Sequence, residues 1–300
     1  MNILSSEIIC FLEEFGLKYN EVLHYNNRKK TTVLIVSDND KKFILKAIDK
    51  NSPTEIKQSF YIEVNFYLKY ISNFIPIYVQ SNDWILLTEF IESKTLRECL
   101  SFSKSTHIDY YSLFNNLINF YENCVKNESK IETYSFDRVH SYLGALLLSG
   151  PMQTKDVKVS YIDRFFSLVL LKILRFKLKR NLKKINVQSL KGQFSHGDFH
   201  YNNILIPTSN EGLKIIDFEN FDKHGFFDFD LIYLFVMVEL NISGNKNMFY
   251  EIEQLIIKQE KELLNTINIL RVAVKSNKRF HTKLKINNSK LSLLKSALSL

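Results

Sequence analysis

Short runs of apolar and β-branched residues in the first third of the chain predict β-strands. The four predicted strands are residues 31–37, 42–48, 75–80 and 84–90. Short polar runs, DNDK and SND, separate the two strands of each pair and have the composition of turns. A helical pattern opens at Pro53 and continues to about residue 73, between the two pairs of strands.

Beyond residue 91 the apolar residues recur mainly at helical spacing. The predicted helical stretches are about 107–127, 160–185, 227–241 and 247–270. A strand-rich first third followed by a helical remainder predicts an α+β fold with two lobes. We place a small β-rich N-lobe with one helix at residues 1–91 and a larger, mainly helical C-lobe at residues 92–300.

The composition is that of a globular chain with few flexible linkers. Hydrophobic residues make up 45% and charged residues 24% of the 300 positions, while Gly and Pro number only 8 and 4. Cys10, Cys99 and Cys124 are far apart and form no C-x-x-C pair, so neither a disulfide framework nor a zinc site is expected. No apolar run is long enough for a membrane span, and the first residues are acidic where a secretion signal would be basic. We therefore expect a cytoplasmic protein.

The net charge of +8 is concentrated in two blocks. Nine Lys or Arg residues and no acidic residue lie between Asp163 and Asp198, and eight lie from Arg271 to the end. Such blocks contact phosphates, anionic lipids or nucleic acid in some proteins and are solvated basic surfaces in others. Charge alone leaves these interpretations open.

The stretch QFSHGDFHYNNILIP, residues 193–207, concentrates hydrogen-bonding and metal-binding groups between apolar flanks. Its last residues, ILIP, can pair with the apolar run LKII before Asp217, across the polar turn TSNEG, as a β-hairpin. That hairpin would bring Asp198, Asn203 and Asp217 to one place. Two carboxylates and an amide oxygen suit Mg²⁺, a cation that prefers oxygen ligands and phosphate.

HGDFHYNNIL followed by IIDFE resembles the aminoglycoside phosphotransferase and choline kinase-like superfamily, a branch of the protein kinase-like fold. The superfamily pattern is H-G-D-x-x-x-x-N, then a strand ending in I-D-[FW], then a Gly and a D-L pair. The matching residues are His196, Gly197, Asp198, Asn203, Asp217, Gly225, Asp230 and Leu231. The resemblance covers most of residues 31–240 and implies a bilobal fold in which the N-lobe binds the nucleotide and the C-lobe carries the catalytic loop and acceptor site.

The resemblance implies a role for each residue of the motif. Asp198 would orient the acceptor hydroxyl, with or without removing its proton, and His196 would support the loop around it. Asn203 would hold a metal ion and steady the loop, and Asp217 would bind the Mg²⁺ that bridges the phosphates of ATP. The role of His200 is open between a substrate or phosphate contact and a surface position.

The N-lobe should supply a lysine for the α- and β-phosphates, and Lys46 in FILKAI resembles the kinase lysine with this role. Its partner should be a glutamate on the next helix, where Glu63 lies on an apolar stripe with Phe60 and Tyr67. A carboxylate within an apolar stripe is unfavourable unless it is paired, so we expect a Lys46–Glu63 ion pair. Glu55 is the rival partner, but it lies in the first turn, where the helix dipole accounts for it.

TEFIES, residues 88–93, resembles the hinge between lobes, and we expect the backbone of Glu89 and Ile91 to contact adenine. The loop over the phosphates departs from the pattern. Kinases often place glycines there, whereas YNNRKKTT, residues 25–32, has none. Its hydrogen-bonding side chains receive no assignment; they are Asn26, Asn27, Thr31 and Thr32.

These residues together imply an ATP- and Mg²⁺-dependent small-molecule kinase that phosphorylates a hydroxyl group. Cationic acceptors favour an acidic pocket, yet from residue 231 onward eleven Lys or Arg residues outnumber five Glu, although glutamates such as Glu253 could still line a pocket. We therefore expect a sugar or cell-envelope glycoconjugate as the acceptor. The alternative is an aminoglycoside, or choline or another amino alcohol. The sequence indicates neither the oligomeric state nor a preference between ATP and GTP.

Residues 165–185 add a basic amphipathic pattern. The apolar stripe is Leu168, Leu171, Leu174, Leu178, Leu182 and Ile185, and the basic residues off it are Lys172, Arg175, Lys179 and Lys183. Such a helix either contacts an anionic membrane peripherally or is a core helix with a solvated basic face. Two other classes stay open: an inactive nucleotide-binding module, and a basic membrane- or nucleic-acid-binding protein. We expect no specific nucleic acid, because binding one would not explain the acidic Mg²⁺ site.

Overall fold

The computed structural model divides the chain into two compact units. The described residues are 4–27, 29–70, 72–101, 108–125, 161–185, 195–209, 212–222, 225, 227–239, 246–257, 261–281 and 297. The first unit comprises Met1–Glu98 and Asn202–Phe221, and the second comprises Cys99–Tyr201 and Asp222–Leu300. The lobe boundary after residue 91 stays a prediction.

The first unit is built on a five-stranded antiparallel sheet with the strand order β1-β2-β3-β5-β4. Its strands are β1 (Lys18–Asn26), β2 (Thr31–Asp38), β3 (Lys41–Ile48), β4 (Tyr78–Ser81) and β5 (Ile85–Glu89). All four strands predicted from the sequence form, although β4 begins later than expected. β1 gave no strand signal because it lies at the edge and none of its nine residues is buried.

β2 and β3 form the hairpin that the DNDK turn predicts. Asp38 pairs with Lys41, and Asn39 between them has a φ of 50°, a left-handed conformation that Asn tolerates better than most residues. The antiparallel register continues into the next strand and pairs Lys46 with Leu86 of β5. Lys46 therefore lies on the central strand of the sheet.

Helix α1 (Ser6–Glu14) forms a hydrophobic core with this sheet. Its N-cap is Ser5, whose hydroxyl accepts a hydrogen bond from the Ile8 N–H at 3.4 Å. The buried residues of this core are Ile8, Phe11, Leu12, Leu34, Val36, Leu45, Ala47, Ile85 and Leu87. Burying each large aliphatic or aromatic side chain contributes about 2 kcal/mol before the loss of conformational entropy is counted.

Helix α2 (Thr54–Lys69) buries the stripe that the sequence predicts, including Phe60, Glu63 and Tyr67. It ends before residue 73, since Tyr70 has extended backbone angles. The helix thus carries one carboxyl group into its buried face.

The segment after Asp217 is packed against α2 by aromatic rings. Phe218 opens a 3-10 helix (Phe218–Asn220), and its ring stacks on that of Phe66 with the centroids 3.7 Å apart. The Phe221 ring also contacts Phe66, at a centroid distance of 4.9 Å. These contacts fix the position of the backbone that carries Asp217.

A second, three-stranded antiparallel sheet belongs to the first unit. Its strands are β6 (Ser93–Thr95), β7 (Ile204–Pro207) and β8 (Lys214–Ile215). β7 and β8 pair Ile204 with Ile215 and Leu205 with Lys214. The hairpin predicted from ILIP and LKII is therefore confirmed.

The described part of the second unit is helical. Its helices are α4 (Tyr110–Val125), α5 (Tyr161–Leu182), α6 (Phe227–Glu239), α7 (Lys246–Ile257) and α8 (Lys261–His281), and a short α3 (Leu96–Ser101) leads into it. The stretch predicted at 247–270 therefore corresponds to two helices. α6 is mostly buried and apolar on all sides, as is typical of a central helix.

The apolar stripe of α5 is buried within the protein. Leu174, Leu178 and Leu182 are each at most 1% exposed, and Asn181 donates hydrogen bonds from its amide to the Glu262 carbonyl and the Thr266 hydroxyl of α8 at 2.6 and 2.8 Å. The side chains of two further stripe residues, at positions 168 and 171, lie outside the described ones. This burial favours the core-helix alternative over a helix that rests on a membrane.

The secondary structure confirms the predicted α+β class, with a β-rich N-terminal region and a mainly helical C-terminal region. Among the described residues, no helix combines the length and the apolar character needed to cross a bilayer.

Truncating Phe66 should destabilise the protein strongly. The ring is 1% exposed, so Phe66→Ala leaves a cavity and should lower the free energy of unfolding by about 3–5 kcal/mol. Leu68→Ala on the same helix is the control, because Leu68 is 54% exposed, and it should cost less than about 1 kcal/mol. Urea denaturation followed by circular dichroism measures both losses. Equal losses would show that the Phe66–Phe218 contact does not matter to stability.

Candidate active site

A cluster of carboxyl groups surrounds the Lys46 ammonium in the first unit. Lys46 Nζ lies 2.5 Å from Glu63 Oε2, 2.9 Å from Asp217 Oδ1 and 3.6 Å from Glu219 Oε2. The ion pair expected between Lys46 and Glu63 is therefore present. The rival, Glu55, is exposed in the first turn of α2.

Burial and charge act in opposite directions on this cluster. Burial raises the pKa of Glu63 to about 7, and the Lys46 ammonium offsets part of the rise. For Lys46, burial opposes the charged form, but the carboxylates of Glu63, Asp217 and Glu219 outweigh it and raise the pKa above its ordinary value. Three acidic groups around one ammonium leave an excess of negative charge. Glu63, whose side chain is the most buried of the three, therefore holds a proton most readily.

The β7–β8 hairpin brings Asn203 and Asp217 to the same end. The Ile216 N–H donates to the Asn203 carbonyl at 3.1 Å, so Asn203 lies beside Ile216, the residue that precedes Asp217. Asp217 has a φ of 67° and a ψ of 59°, a left-handed conformation that costs a non-glycine residue roughly 1–2 kcal/mol. A residue that keeps such a conformation beside a charged cluster is typical of functional sites.

The donor set at this end of the hairpin fits Mg²⁺. Carboxylate and amide oxygens are its preferred ligands, and proteins often supply only one or two of them when phosphates supply the rest. The Asp217 side chain is 36% exposed, so its carboxylate is accessible. No group of three His, Cys, Asp or Glu side chains in the described ranges is arranged to hold a metal ion. Asn203 and Asp217 are the two residues that would hold Mg²⁺ at this end of the hairpin.

A pocket of about 620 Å³ lies beside the Lys46 cluster, within the first unit. Its apolar lining includes Val33, Ile44, Leu86 and Ile216. Its charged lining includes Lys29, Lys46, Glu63, Asp217 and Glu219. A mostly apolar cavity of this size with a few charged groups is typical of small-molecule sites.

The predicted hinge residues line the same pocket, but one of their donors is already engaged. The Glu89 N–H donates to the Ile77 carbonyl at 2.9 Å, so it is not available to a ligand. The Ile91 carbonyl accepts a hydrogen bond from the Ser93 hydroxyl at 3.0 Å. The adenine contacts of Glu89 and Ile91 stay a prediction and would involve their other backbone groups.

Two later residues of the motif, Gly225 and Asp230, support the loop that carries Asp198 in the second unit. The His196 N–H donates to the Asp230 carboxylate at 2.7 Å, and both residues are fully buried. Gly225 lies so close to this loop that a Cβ on it would be 2.1 Å from the Ser195 hydroxyl oxygen. Together these contacts explain in physical terms why a glycine and an aspartate accompany the loop.

Asp198 is accessible and has polar neighbours within the second unit. Its side chain is 40% exposed, and His200 Nε2 lies 3.7 Å from Asp198 Oδ2. Sequence reasoning left His200 open, and the structure brings it next to Asp198. Nothing in the sequence indicated a further neighbour, Tyr233 on α6. Burial raises the pKa of Tyr233 to about 12, and Asp198 and Tyr201 contribute to a lesser extent. The Tyr233 hydroxyl therefore stays protonated at neutral pH.

Sequence reasoning also missed Glu219 and Lys29. Glu219 Oε1 lies 2.8 Å from Lys29 Nζ, which links the residue to the turn between β1 and β2. The only sequence signal was the position of Glu219, two residues after Asp217. The loop expected at residues 25–32 is shorter, because its two ends belong to strands and the β1–β2 turn comprises only residues 27–30.

No family model matches the chain, and no curated protein matches its sequence. Solved structures do match, over nearly their full length. The streptomycin–ATP–APH(2'')-IIa ternary complex is 14% identical, with a TM-score of 0.55 and coverage of 100% of this chain and 98% of that chain. A thermostable mutant of aminoglycoside phosphotransferase APH(4)-Ia, in a ternary complex with ADP and hygromycin B, is 10% identical, with a TM-score of 0.53 and coverage of 98% and 97%.

Choline kinase from Cryptosporidium parvum is 12% identical, with a TM-score of 0.53 and coverage of 98% of this chain and 95% of that chain. At sequence identities this low, the structural likeness shows the fold alone. The chain has the protein kinase-like fold of these aminoglycoside phosphotransferases and this choline kinase, which confirms the fold that the resemblance in the sequence implies.

Glu63 should make stability depend on pH. The pKa of Glu63 is about 7 in the folded protein and ordinarily 4.5. The protonated group therefore stabilises the fold fully below pH 4.5, and this stabilisation is lost as the pH rises through about 7. We expect the free energy of unfolding to fall by roughly 1–3 kcal/mol between about pH 5 and about pH 8. Urea titrations in buffer with a chelator would measure it, and Glu63→Gln should remove most of the slope. The same slope in both proteins would assign the effect to other groups.

Proposed function

We propose that this protein is an ATP- and Mg²⁺-dependent phosphotransferase that transfers the γ-phosphate to a hydroxyl group of a small molecule. The observation that carries the proposal is the cluster of Lys46, Glu63 and Asp217 on the lining of a largely apolar pocket. Such a pocket suits a nucleotide, which joins a flat base to anionic phosphates. Solved structures with the same fold include complexes with ATP and with ADP, which supports the same class of ligand here.

The residues of the first unit would bind and orient the nucleotide. Lys46 would donate hydrogen bonds to the phosphates, and Glu63 would hold the ammonium in place from its buried position. Asn203 and Asp217 would hold Mg²⁺, which when bound neutralises the charge that develops on the phosphates. In such phosphoryl transfer the protein contributes mainly position and electrostatic stabilisation.

The loop of the second unit would handle the acceptor. The Asp198 carboxylate is exposed enough to accept a hydrogen bond from a hydroxyl group and so orient its oxygen for attack on the γ-phosphate. His196 acts only as support, because its backbone N–H is bound by Asp230 and its side chain is buried. His200, beside Asp198, would contact either the acceptor or the phosphate that moves.

Two aspartate substitutions should separate the two halves of this mechanism. Asp198→Asn removes the group that orients the acceptor, so turnover should fall by about 10²-fold or more while MgATP affinity stays within about twofold. Asp217→Ala removes a metal ligand, so both turnover and MgATP affinity should fall. Steady-state kinetics and calorimetric titration with MgATP measure the two effects.

Asp83→Asn is the control for this experiment, because Asp83 is an exposed residue between β4 and β5 and does not line the pocket. It should leave both quantities unchanged. Near-wild-type turnover in Asp198→Asn would refute the role of Asp198, and unchanged MgATP affinity in Asp217→Ala would remove Asp217 from the metal site.

For the acceptor we propose an uncharged or anionic hydroxyl compound, such as a sugar unit of a glycoconjugate. The C-terminal helices have few acidic residues, and Arg271 engages two of them. Its guanidinium nitrogens lie 2.7 Å from Glu239 and 2.6 Å from Glu253. Carboxylates neutralised in this way are poor ligands for the ammonium groups of a polycation. Of the five glutamates counted in the sequence, these two therefore contribute little to binding a cationic acceptor.

Aminoglycosides and amino alcohols are the alternative acceptors, and the solved structures favour this second candidate. The similar proteins include a complex with streptomycin, a complex with hygromycin B and a choline kinase. A likeness in fold is compatible with many acceptors, because specificity depends on the residues of the site. The choice therefore has to be made by kinetics.

A comparison of acceptors under varied salt should decide the question. We expect kcat/KM for sugar and glycoconjugate acceptors to exceed that for kanamycin-type aminoglycosides and for choline by at least about tenfold. If repulsion is the cause, added salt should raise kcat/KM for the polycation, because it screens charges beyond about 8 Å. A higher kcat/KM for an aminoglycoside at low salt would establish the alternative.

A further inference from the structure

The β1–β2 turn is held in place without glycine. The Asn26 side-chain oxygen accepts a hydrogen bond from the Lys29 N–H at 3.0 Å, and Lys30 adopts a φ of 50°, where glycine is common. The carbonyl of Lys29 accepts from the Ser52 hydroxyl at 3.4 Å, and that of Lys30 from the Asp49 N–H at 3.0 Å. The connection between β3 and α2 therefore fixes the turn.

This arrangement changes what the turn can offer to an anion. Phosphate-binding turns usually present free backbone N–H groups. Here the Lys29 N–H is used by Asn26, so the donor that Lys29 can offer is its side chain. Lys29 Nζ lies 2.8 Å from Glu219 Oε1, and both residues line the pocket that contains Lys46 and Asp217. The turn thus supplies an ammonium group to the same pocket as the Lys46 cluster.

The contact between Lys29 and Glu219 can be exchanged easily. The Lys29 side chain is 45% exposed and that of Glu219 is 20% exposed, and ion pairs at such positions are weak. A triphosphate offers several charged acceptors and so competes with one carboxylate for the ammonium. Without Lys29, Lys46 would be the one lysine among the described residues of the pocket lining, and its ammonium already contacts three carboxyl groups.

We propose that Lys29 gives up its contact with Glu219 and binds the terminal phosphates of the nucleotide instead. Its side chain then replaces the backbone donors of a glycine-containing turn. The inference rests on the proposed function, because it takes a nucleoside triphosphate as the occupant of the pocket. Lys29 would contact the β- and γ-phosphates, which ATP has and AMP lacks. Loss of Lys29 therefore affects ATP and AMP differently.

Calorimetric titration of MgATP and AMP into wild type and three variants tests the proposal. Lys29→Ala should weaken MgATP binding by about tenfold, the usual effect of losing one charge-assisted hydrogen bond, and change AMP binding by less than about twofold. Lys29→Arg keeps the charge and should stay within about threefold of wild type for both. Lys41→Ala is the matched control, because Lys41 is an exposed lysine of the β2–β3 hairpin that does not line the pocket. It should change neither affinity.

The outcomes separate this inference from the function on which it rests. MgATP binding by Lys29→Ala equal to that of wild type overturns the role of Lys29 and leaves the proposed function intact. An equal loss of MgATP and AMP binding also overturns it, because the turn would then act only on the shape of the pocket. A wild-type protein that binds neither nucleotide overturns the proposed function and this inference together.

Discussion

The ammonium group of Lys46 is largely withdrawn from water, and the first unit is organised around neutralising it. A buried charge is unfavourable by several kcal/mol unless partners with good geometry oppose it. Glu63 comes from α2, whereas Asp217 and Glu219 come from the segment after β8. Asp217 lies 171 positions after Lys46 in the sequence. One electrostatic requirement therefore links the central strand, a helix and a hairpin from the far part of the chain. Phe66 and Phe218 supply the apolar contact beside it.

Stability alone does not account for this cluster. A buried ion pair can often be replaced by apolar residues of similar volume without loss of stability, so its presence is weak evidence that the fold needs it. Here the cluster also contains more carboxyl groups than ammonium groups, and Asp217 keeps a left-handed backbone. Both features are unfavourable for the folded protein by itself. A divalent cation bound at Asp217 would offset the excess of negative charge, and a role in ligand binding would give both features a purpose.

The sequence predicted those features that leave a periodic or chemical signal. Short apolar runs predicted β2, β3 and β5, and a carboxylate on an apolar stripe predicted Glu63. β1 left no signal, because an exposed edge strand has no apolar alternation to detect. Glu219 and Lys29 were missed for a different reason: polar residues in short turns look alike in a sequence, and only the tertiary contact distinguishes these two. The α5 stripe was ambiguous because a core helix and a membrane-surface helix share one periodicity.

The second unit also engages charged groups inside the protein, and this affects how its surplus of positive charge can act. The partly buried Arg271 pairs with Glu239 and Glu253, and the buried Asp230 carboxylate accepts a hydrogen bond from the His196 N–H. Among the described residues, several lysines on and just after α5 are exposed; they are Lys172, Lys179, Lys183 and Lys184. Exposed charges more than about 8 Å apart are largely screened at physiological salt, so in the proposed kinase these lysines would act mainly on the approach of a charged acceptor. Under the proposed function, selectivity between acceptors would depend on the polar groups near Asp198, of which His200 and Tyr233 are two.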